Sequence, residues 1–339
     1  MTAVLAQSRT EYFGLRSMDP MRDLGGVADL IEEAFATELD HSGQNALREL
    51  RLLSRMKPIL WWMTQFNPDH SDFLSGFVWE EDGKIVGNIT INQTSAGSRR
   101  WLISNVAVSE NYRGRGIGRS LMDAALELAH EYRGTSVSLQ VRGNNQRAKR
   151  LYQSLGFQEI SGTTYLRLGR VPRIDGIYAL PPLPQGLILR PRKYDSKDTL
   201  EAYHLATAST PPVTQKEWPL YRRNFQLGGQ QWFHNILCRM AGSGPSEHWV
   251  VEDGHRFVAL LDVHPGVFKQ SHQIRVIVHP DWRGQLETLL IGQALDYLHA
   301  WRNKSIAIRH SSEHSEAITA FQDFGFKEDQ TLLWMKREM

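Results

Sequence analysis

The stretch Asn105-Val106-Ala107-Val108-Ser109-Glu110-Asn111-Tyr112-Arg113-Gly114-Arg115-Gly116-Ile117-Gly118-Arg119 decides how this chain is read. A strand-forming apolar run enters a glycine-rich turn, and helical periodicity follows from about Ile117 to Tyr132. Glycine at 114, 116 and 118 permits positive φ and lets a ligand approach where a Cβ would block it. The start of the helix adds amides with no intrahelical partner and a partial positive charge. Arg113, Arg115 and Arg119 add cations. The result is an anion site, better matched to a pyrophosphate than to a carboxylate. From the glycines alone, a mere tight strand-to-helix connection stays open.

What the turn lacks narrows the choice. A P-loop needs Gly-Lys followed by Ser or Thr, whereas Gly118 is followed by Arg119 and Ser120. A dinucleotide fingerprint needs a glycine three positions after Gly116, which is Arg119, and no βαβ unit precedes the turn.

Outward from the turn the pattern is mixed. Strands are predicted at Phe13 to Ser17, near Phe73 to Trp79 and at Lys84 to Asn92, with helices within Leu24 to Leu39 and Ala46 to Met63. Glu81-Asp82-Gly83 predicts a hairpin turn. After the strand Trp101 to Val108 and its helix come a strand at Ser136 to Val141, a helix from about Asn145 to Leu155, and strands around Phe157 and Tyr165. The second half repeats this order, with helices predicted at Ser196 to Ala208, Lys216 to Phe225, Gln285 to Trp301 and Ser315 to Phe324. Val276-Ile-Val278 and Arg283-Gly284 stand 170 residues after Val106-Ala-Val108 and Arg113-Gly114; Phe324-Gly325-Phe326 stands 169 after Leu155-Gly156-Phe157. Pro172, Pro181, Pro182 and Pro184 interrupt any helix or central strand between the halves. The predicted domains are therefore 1–170 and 186–339, joined by a proline-rich linker at 171–185.

Composition sets the outer bounds. The 339 residues, 41% of them hydrophobic, suit two globular domains at about 150 residues each. Thirty-nine Lys and Arg against thirty-seven Asp and Glu, without a long basic run, argue against nucleic acid as a partner. No apolar run reaches the roughly 18 to 20 residues of a membrane helix, and Met1 to Ser8 carries no basic leader, so a cytoplasmic location is expected. Cys238 is the one cysteine, which forbids an internal disulfide, and it reads as a small core residue. His310 and His314 have helical spacing but no third ligand nearby in sequence, so no metal site is expected.

The segment Arg113-x-x-Gly116-x-Gly118 after Val106-Ala-Val108, followed by Asn145-x-x-Ala148-x-x-Leu151-Tyr152 and Leu155-Gly156-Phe157, resembles the two hallmark motifs of the GNAT superfamily of N-acetyltransferases. The resemblance implies an α/β (mixed α+β) fold with two tandem GNAT-like domains, each a mostly antiparallel mixed sheet flanked by helices. It implies that the strand at Val106, Ala107 and Val108 splays from its neighbour and bonds the pantetheine of acetyl-CoA. Arg113, Gly114, Arg115, Gly116, Ile117, Gly118 and Arg119 would wrap the pyrophosphate. Asn145 would contact the pantetheine or cap its helix, and Tyr152 would protonate the leaving thiolate unless it only packs. The implied reaction is direct attack by a primary amine, of a small molecule or peptide, in a ternary complex. The alternative is a non-catalytic acyl-CoA-binding or regulatory protein.

A general base is not identified by the sequence. Asp40, Glu80, Glu81 and Glu110 qualify by neighbourhood alone, and each reads more simply as a solvated charge. Trp61, Trp62 and Met63 fit an acceptor-pocket wall or a core, while Arg142, Arg147, Lys149 and Arg150 fit either CoA phosphates or a solvated helix face. In the second half Leu286, Thr288, His314 and Phe321 replace Gly116, Gly118, Asn145 and Tyr152. Leucine would fill the phosphate's place and phenylalanine has no proton to give, so the C-terminal domain is expected to be degenerate.

Overall fold

The computed structural model describes residues 13–35, 75–172, 180–228, 235, 236, 238, 242, 244–267, 270–301 and 304–339. In chain order the first half forms β1 (Gly14–Ser17), α1 (Pro20–Phe35), β2 (Gly76–Glu81), β3 (Lys84–Gln93), β4 (Arg100–Val108), α2 (Ile117–Glu131), β5 (Ser136–Arg142), α3 (Gln146–Ser154) and β6 (Gln158–Leu168). The second half forms β7 (Leu187–Pro191), α4 (Ser196–Ser209), α5 (Pro212–Glu217), β8 (Glu247–Asp253), β9 (Arg256–His264), β10 (Gln273–Val278), α6 (Glu287–His299), β11 (Ile306–Ser311), α7 (Ser315–Asp323) and β12 (Lys327–Glu338). The fold is mixed α/β, and its sheets are mostly antiparallel with helices on their faces.

The chain divides into two compact units. One holds Met1–Val141, Gln146–Glu159 and Trp334–Met339; the other holds Arg142–Asn145 and Ile160–Leu333. Both are discontinuous, so the last strand of each repeat contributes to the unit built by the other. In the first unit the strand order is β1-β2-β3-β4-β5 and then the end of β12, where the Met339 amide donates to Thr135 O at 3.1 Å. In the second, β6 pairs antiparallel with β11 from Ile306↔Leu168 to Ser311↔Thr163, and a four-stranded sheet runs β10-β9-β8-β7.

Local chemistry explains the helices that frame the first unit. Asp19 accepts from the Met21 amide at 2.9 Å and Pro20 occupies the first helical position, which starts α1 upstream of the sequence expectation. Leu24, Val27, Ala28 and Ile31 form its buried stripe. In α2, Ile117, Leu121, Met122, Ala125, Leu126 and Ala129 are buried at the same kind of spacing. Arg16 of β1 grips Asp23 of α1 with both terminal nitrogens, at 2.6 and 2.7 Å, and Glu80 of β2 with Nε at 2.8 Å. The second unit is built on one large apolar core that includes Leu261, Val276, Leu290, Ile291, Leu295 and Phe321. The helix expected over Lys216 to Phe225 is instead α5 followed by a 3-10 turn at Arg222–Phe225, because Pro219 lacks the N–H a continuous helix would need.

Gly87 on β3 sets how closely α2 approaches the sheet. A Cβ there would lie 2.9 Å from Ile117 Cγ2 and 3.1 Å from Leu121 Cδ1. Gly87→Val should destabilise the protein by about 1 to 3 kcal/mol through overpacking, read as a lower urea midpoint with unchanged slope.

Candidate active site

The site begins where two strands part. Parallel pairing of β4 with β5 runs from Arg100↔Ser136 to Ile103↔Leu139 and stops, although β4 continues to Val108 and β5 to Arg142. On its other side β4 carries a bulge: Thr90 of β3 faces Ser104 and Asn88 faces Ala107, so Ile89 spans two residues, Asn105 and Val106. Asn105 takes φ of 52°, in the left-handed region that asparagine tolerates better than most residues. Its carbonyl accepts from Asn88 Nδ2 at 2.9 Å. Val106, Ala107 and Val108 therefore lie past the end of the pairing with β5.

The chain leaves β4 through a 3-10 turn at Glu110–Tyr112. Gly114 and Gly116 adopt φ of 88° and 84°, and Gly116 caps α2. Nothing lies within 4 Å of the place a Cβ would occupy on Gly116, so the turn presents open backbone. Gly118 packs its first helical turn against Leu151 Cδ2 and Val108 Cγ2, 3.6 and 3.8 Å from its own Cβ position. The turn, the end of β4 and α3 thus meet.

Four guanidiniums surround the turn. Arg113 donates from Nε to Val108 O at 3.1 Å, Arg115 stacks over Tyr112 at 4.8 Å, and Arg119 donates to Ser154 Oγ at 2.5 Å. Arg147 of α3 brings Nη2 to 3.8 Å from the Gly114 Cβ position. Of the basic residues around α3, Arg147 is therefore at the turn, whereas Lys149 pairs with Glu159 at 3.7 Å.

Tyr152 sits on α3 and is 5% exposed, with its ring 6.1 Å from that of Phe157. Burial pushes its phenol up to about 12, so it holds its proton at any physiological pH. Asn145 stands immediately before α3, and its amide donates to Arg142 O at 3.0 Å; it is counted with the other compact unit. Two base candidates are not the solvated charges that the sequence suggests. Glu80 is 3% exposed and held by Arg16 and Arg22, and Glu81 is 7% exposed and accepts from Trp79 Nε1. Glu110 is exposed. Asp40, Trp61, Trp62 and Met63 lie outside the described residues. Sequence reasoning missed Asn88, although a lone amide inside the run Ile85 to Ile91 was a visible signal.

The second unit follows the same path and then diverges. Ser109 and His279 each donate their amide to β3 or β9, at Val86 O and Val258 O. Arg113 and Arg283 share a backbone conformation, with φ/ψ of −66°/146° and −62°/142°, and Gly284 keeps φ of 80°. At the place of Gly116, Leu286 has φ of −112° and is fully buried. The next residue, Glu287, accepts the Leu286 amide at 3.2 Å and His314 Nε2 at 2.7 Å, and His314 Nδ1 meets His310 Nε2 at 2.9 Å. Burial opposes ionisation of Glu287, yet the hydrogen bonds from His314 and the backbone hold its carboxyl below the ordinary range. Burial, with His314 and Arg283 adding to it, pushes His310 down to about 3.

His310 is therefore neutral when folded but titrates at about 6.5 when unfolded. A depressed folded pKa contributes stability that is complete above the unfolded value and lost as pH falls from there toward about 3. The urea midpoint should drop between pH 7.5 and 5, and His310→Gln, which keeps a donor for His314, should flatten that dependence.

Comparison with known proteins agrees with this geometry. Residues 36–157 match the Acetyltransferase (GNAT) family model. An N-alpha-acetyltransferase of Sulfurisphaera tokodaii is 35% identical over 94 residues, 25% of this chain and 56% of its own. The mycothiol acetyltransferase of Propionibacterium freudenreichii is 28% identical over 159 residues, 44% of each chain. The chain spans about half the length of the curated relatives it matches. A GCN5-related N-acetyltransferase structure from Sphaerobacter thermophilus superposes with a TM-score of 0.55 over 96% of this chain and 95% of that one, at 15% identity, which shows a shared fold across both halves. The parted strands and the open glycine turn at the head of α2 thus lie inside the segment, residues 36–157, that is similar to the GNAT acetyltransferase family.

Proposed function

We propose that the first unit transfers an acetyl group from acetyl-CoA to a primary amine. The observation that carries the reading is the backbone left open at Gly116 at the start of α2, ringed by Arg113, Arg115, Arg119 and Arg147 and set beside the end of β4 that β5 no longer pairs. These residues fit a pyrophosphate: the helix start supplies amides, and a Cβ at Gly116 would fill the space the phosphate needs. Val106, Ala107 and Val108 would bond the pantetheine as an added strand bonds a sheet edge.

In the reaction the amine nitrogen attacks the thioester carbon, a C–N bond forms, and the C–S bond breaks. Tyr152 gives its proton to the departing sulfur, a role that its raised pKa suits because the phenol is never lost to ionisation beforehand. Glu80 is committed to Arg16 and Arg22 and is not the base of this reading, and an acceptor that is already partly neutral needs no strong base. An α-amino group, near pKa about 8, meets that condition better than lysine at about 10.4. The name of the Sulfurisphaera relative makes α-amines the first acceptors to test. The second unit, with Leu286 filling the place of Gly116 and the Glu287 carboxylate at its helix start, has given up cofactor binding in this reading.

Calorimetry should find one acetyl-CoA per chain. Two sites would restore the second unit as an enzyme, and none would end the reading. Gly116→Glu, which sets a negative side chain on the turn, should abolish that binding. Tyr152→Phe should lower kcat by about 10²-fold with unchanged acetyl-CoA affinity, followed by thiol release with an α-amine peptide; full activity would remove the acid role, and binding without any turnover would favour a non-catalytic acyl-CoA sensor.

A further inference from the structure

Asn88 is an amide in a place that packing does not explain. It is fully buried in the middle of β3, directly across from Val78 of β2 and Ala107 of β4. Opposite residues of an antiparallel pair share a face, and Val78 belongs to the apolar cluster of Val27, Ala28 and Ile31 under α1. The Asn88 Nδ2 donates to Asn105 O, which fixes the amide's orientation, because only the NH₂ end can bond a carbonyl. Its Oδ1 is then left buried with no partner. An orphaned buried acceptor is a cost that an apolar side chain of similar size would avoid.

The side-chain hydrogen bond that Asn88 makes falls on the residue where β4 changes course. Asn105 holds the left-handed φ of the bulge, and β4 is paired with β5 only before it, as far as Ile103. We propose that Asn88 is a positioning residue for acetyl transfer: by holding the Asn105 carbonyl it fixes the bulge and aims the backbone of Val106 to Val108 into the gap between β4 and β5. The assignment rests on the transferase reading of that gap. It makes Asn88 a residue kept for geometry at the expense of stability, a signature that separates it from an ordinary structural residue.

The test compares Asn88→Val and Asn88→Ala with the parent chain by thermal melting, acetyl-CoA calorimetry and steady-state kinetics with an α-amine acceptor. For Asn88→Val the expected result is a Tm equal to or above the parent's, with acetyl-CoA Kd raised about tenfold and kcat lowered by about 10²-fold, as a displaced reacting group would give. Adding Asn105→Gly, which removes the cost of the left-handed φ, should return part of the loss, since the bulge then persists without its clamp. Unchanged Kd and kcat in both variants would overturn the proposal. So would a fall in Tm together with activity that glycine at 105 does not relieve, which would make Asn88 a sheet residue only. Should the parent bind acetyl-CoA yet acetylate no amine, the transferase reading fails while the Kd comparison still decides Asn88; a parent that binds no acetyl-CoA ends both.

Discussion

Everything in the first unit turns on a strand that loses its neighbour. In a sheet interior each strand satisfies its backbone groups on both sides, and leaving them unpaired is costly unless solvent or a ligand takes them up. Here β4 keeps β3 along its length but is released by β5 after Ile103, at a bulge. The release creates a sheet edge inside the fold, and the Gly114–Gly118 turn follows from the same strand only a few residues later. A single feature of register thus places a strand edge released by β5 and an open helix start on one short piece of chain. The rigid supports are the α2 stripe against β3, made possible by Gly87, and the Arg16, Asp23 and Glu80 ion pairs that tie β1, α1 and β2.

The second unit shows the same turn put to another use. Its backbone matches through Arg283 and Gly284, and at Leu286 both backbone and side chain diverge: φ is −112° where Gly116 has 84°, and a buried leucine stands where glycine leaves the turn open. A helix start needs an anion or acceptor for its free amides. In the first unit that place is open; in the second, Glu287 fills it from within, and His314 and His310 satisfy the remaining lone pair through a buried chain of hydrogen bonds. This contrast gives the sequence differences between the halves a physical meaning that a list of substitutions lacks.

The legible part of the site was its backbone chemistry. Glycines at 114, 116 and 118 before a helical pattern, with Tyr152 and the Leu155-Gly156-Phe157 turn after it, are local signals, and local geometry carries them into the structure. Charged side chains were less legible. Glu80 and Glu81 read as solvated because nothing in their neighbourhood shows that Arg16, Arg22 and Trp79 will close over them. Arg147 could not be told from its neighbours on α3, since its approach to Gly114 depends on how that helix lies beside the turn.

The sequence by itself determined the repeat, the mixed α/β class, the order of elements and the glycine turn at the head of α2, because periodicity, turn residues and motif spacing are properties of contiguous chain. It predicted contiguous halves, while the compact units trade their last strands, β6 from Ile160 onward and the end of β12. Only the tertiary structure decided that, and for a physical reason. Alternation of side chains says which face of a strand is buried but not which neighbour supplies its hydrogen bonds, and two similar repeats offer nearly equivalent edges to either strand. The same holds for the bulge at Asn105 and the side-chain bond of Asn88. Both are matters of register between strands far apart in sequence, and register exists only once the strands are side by side.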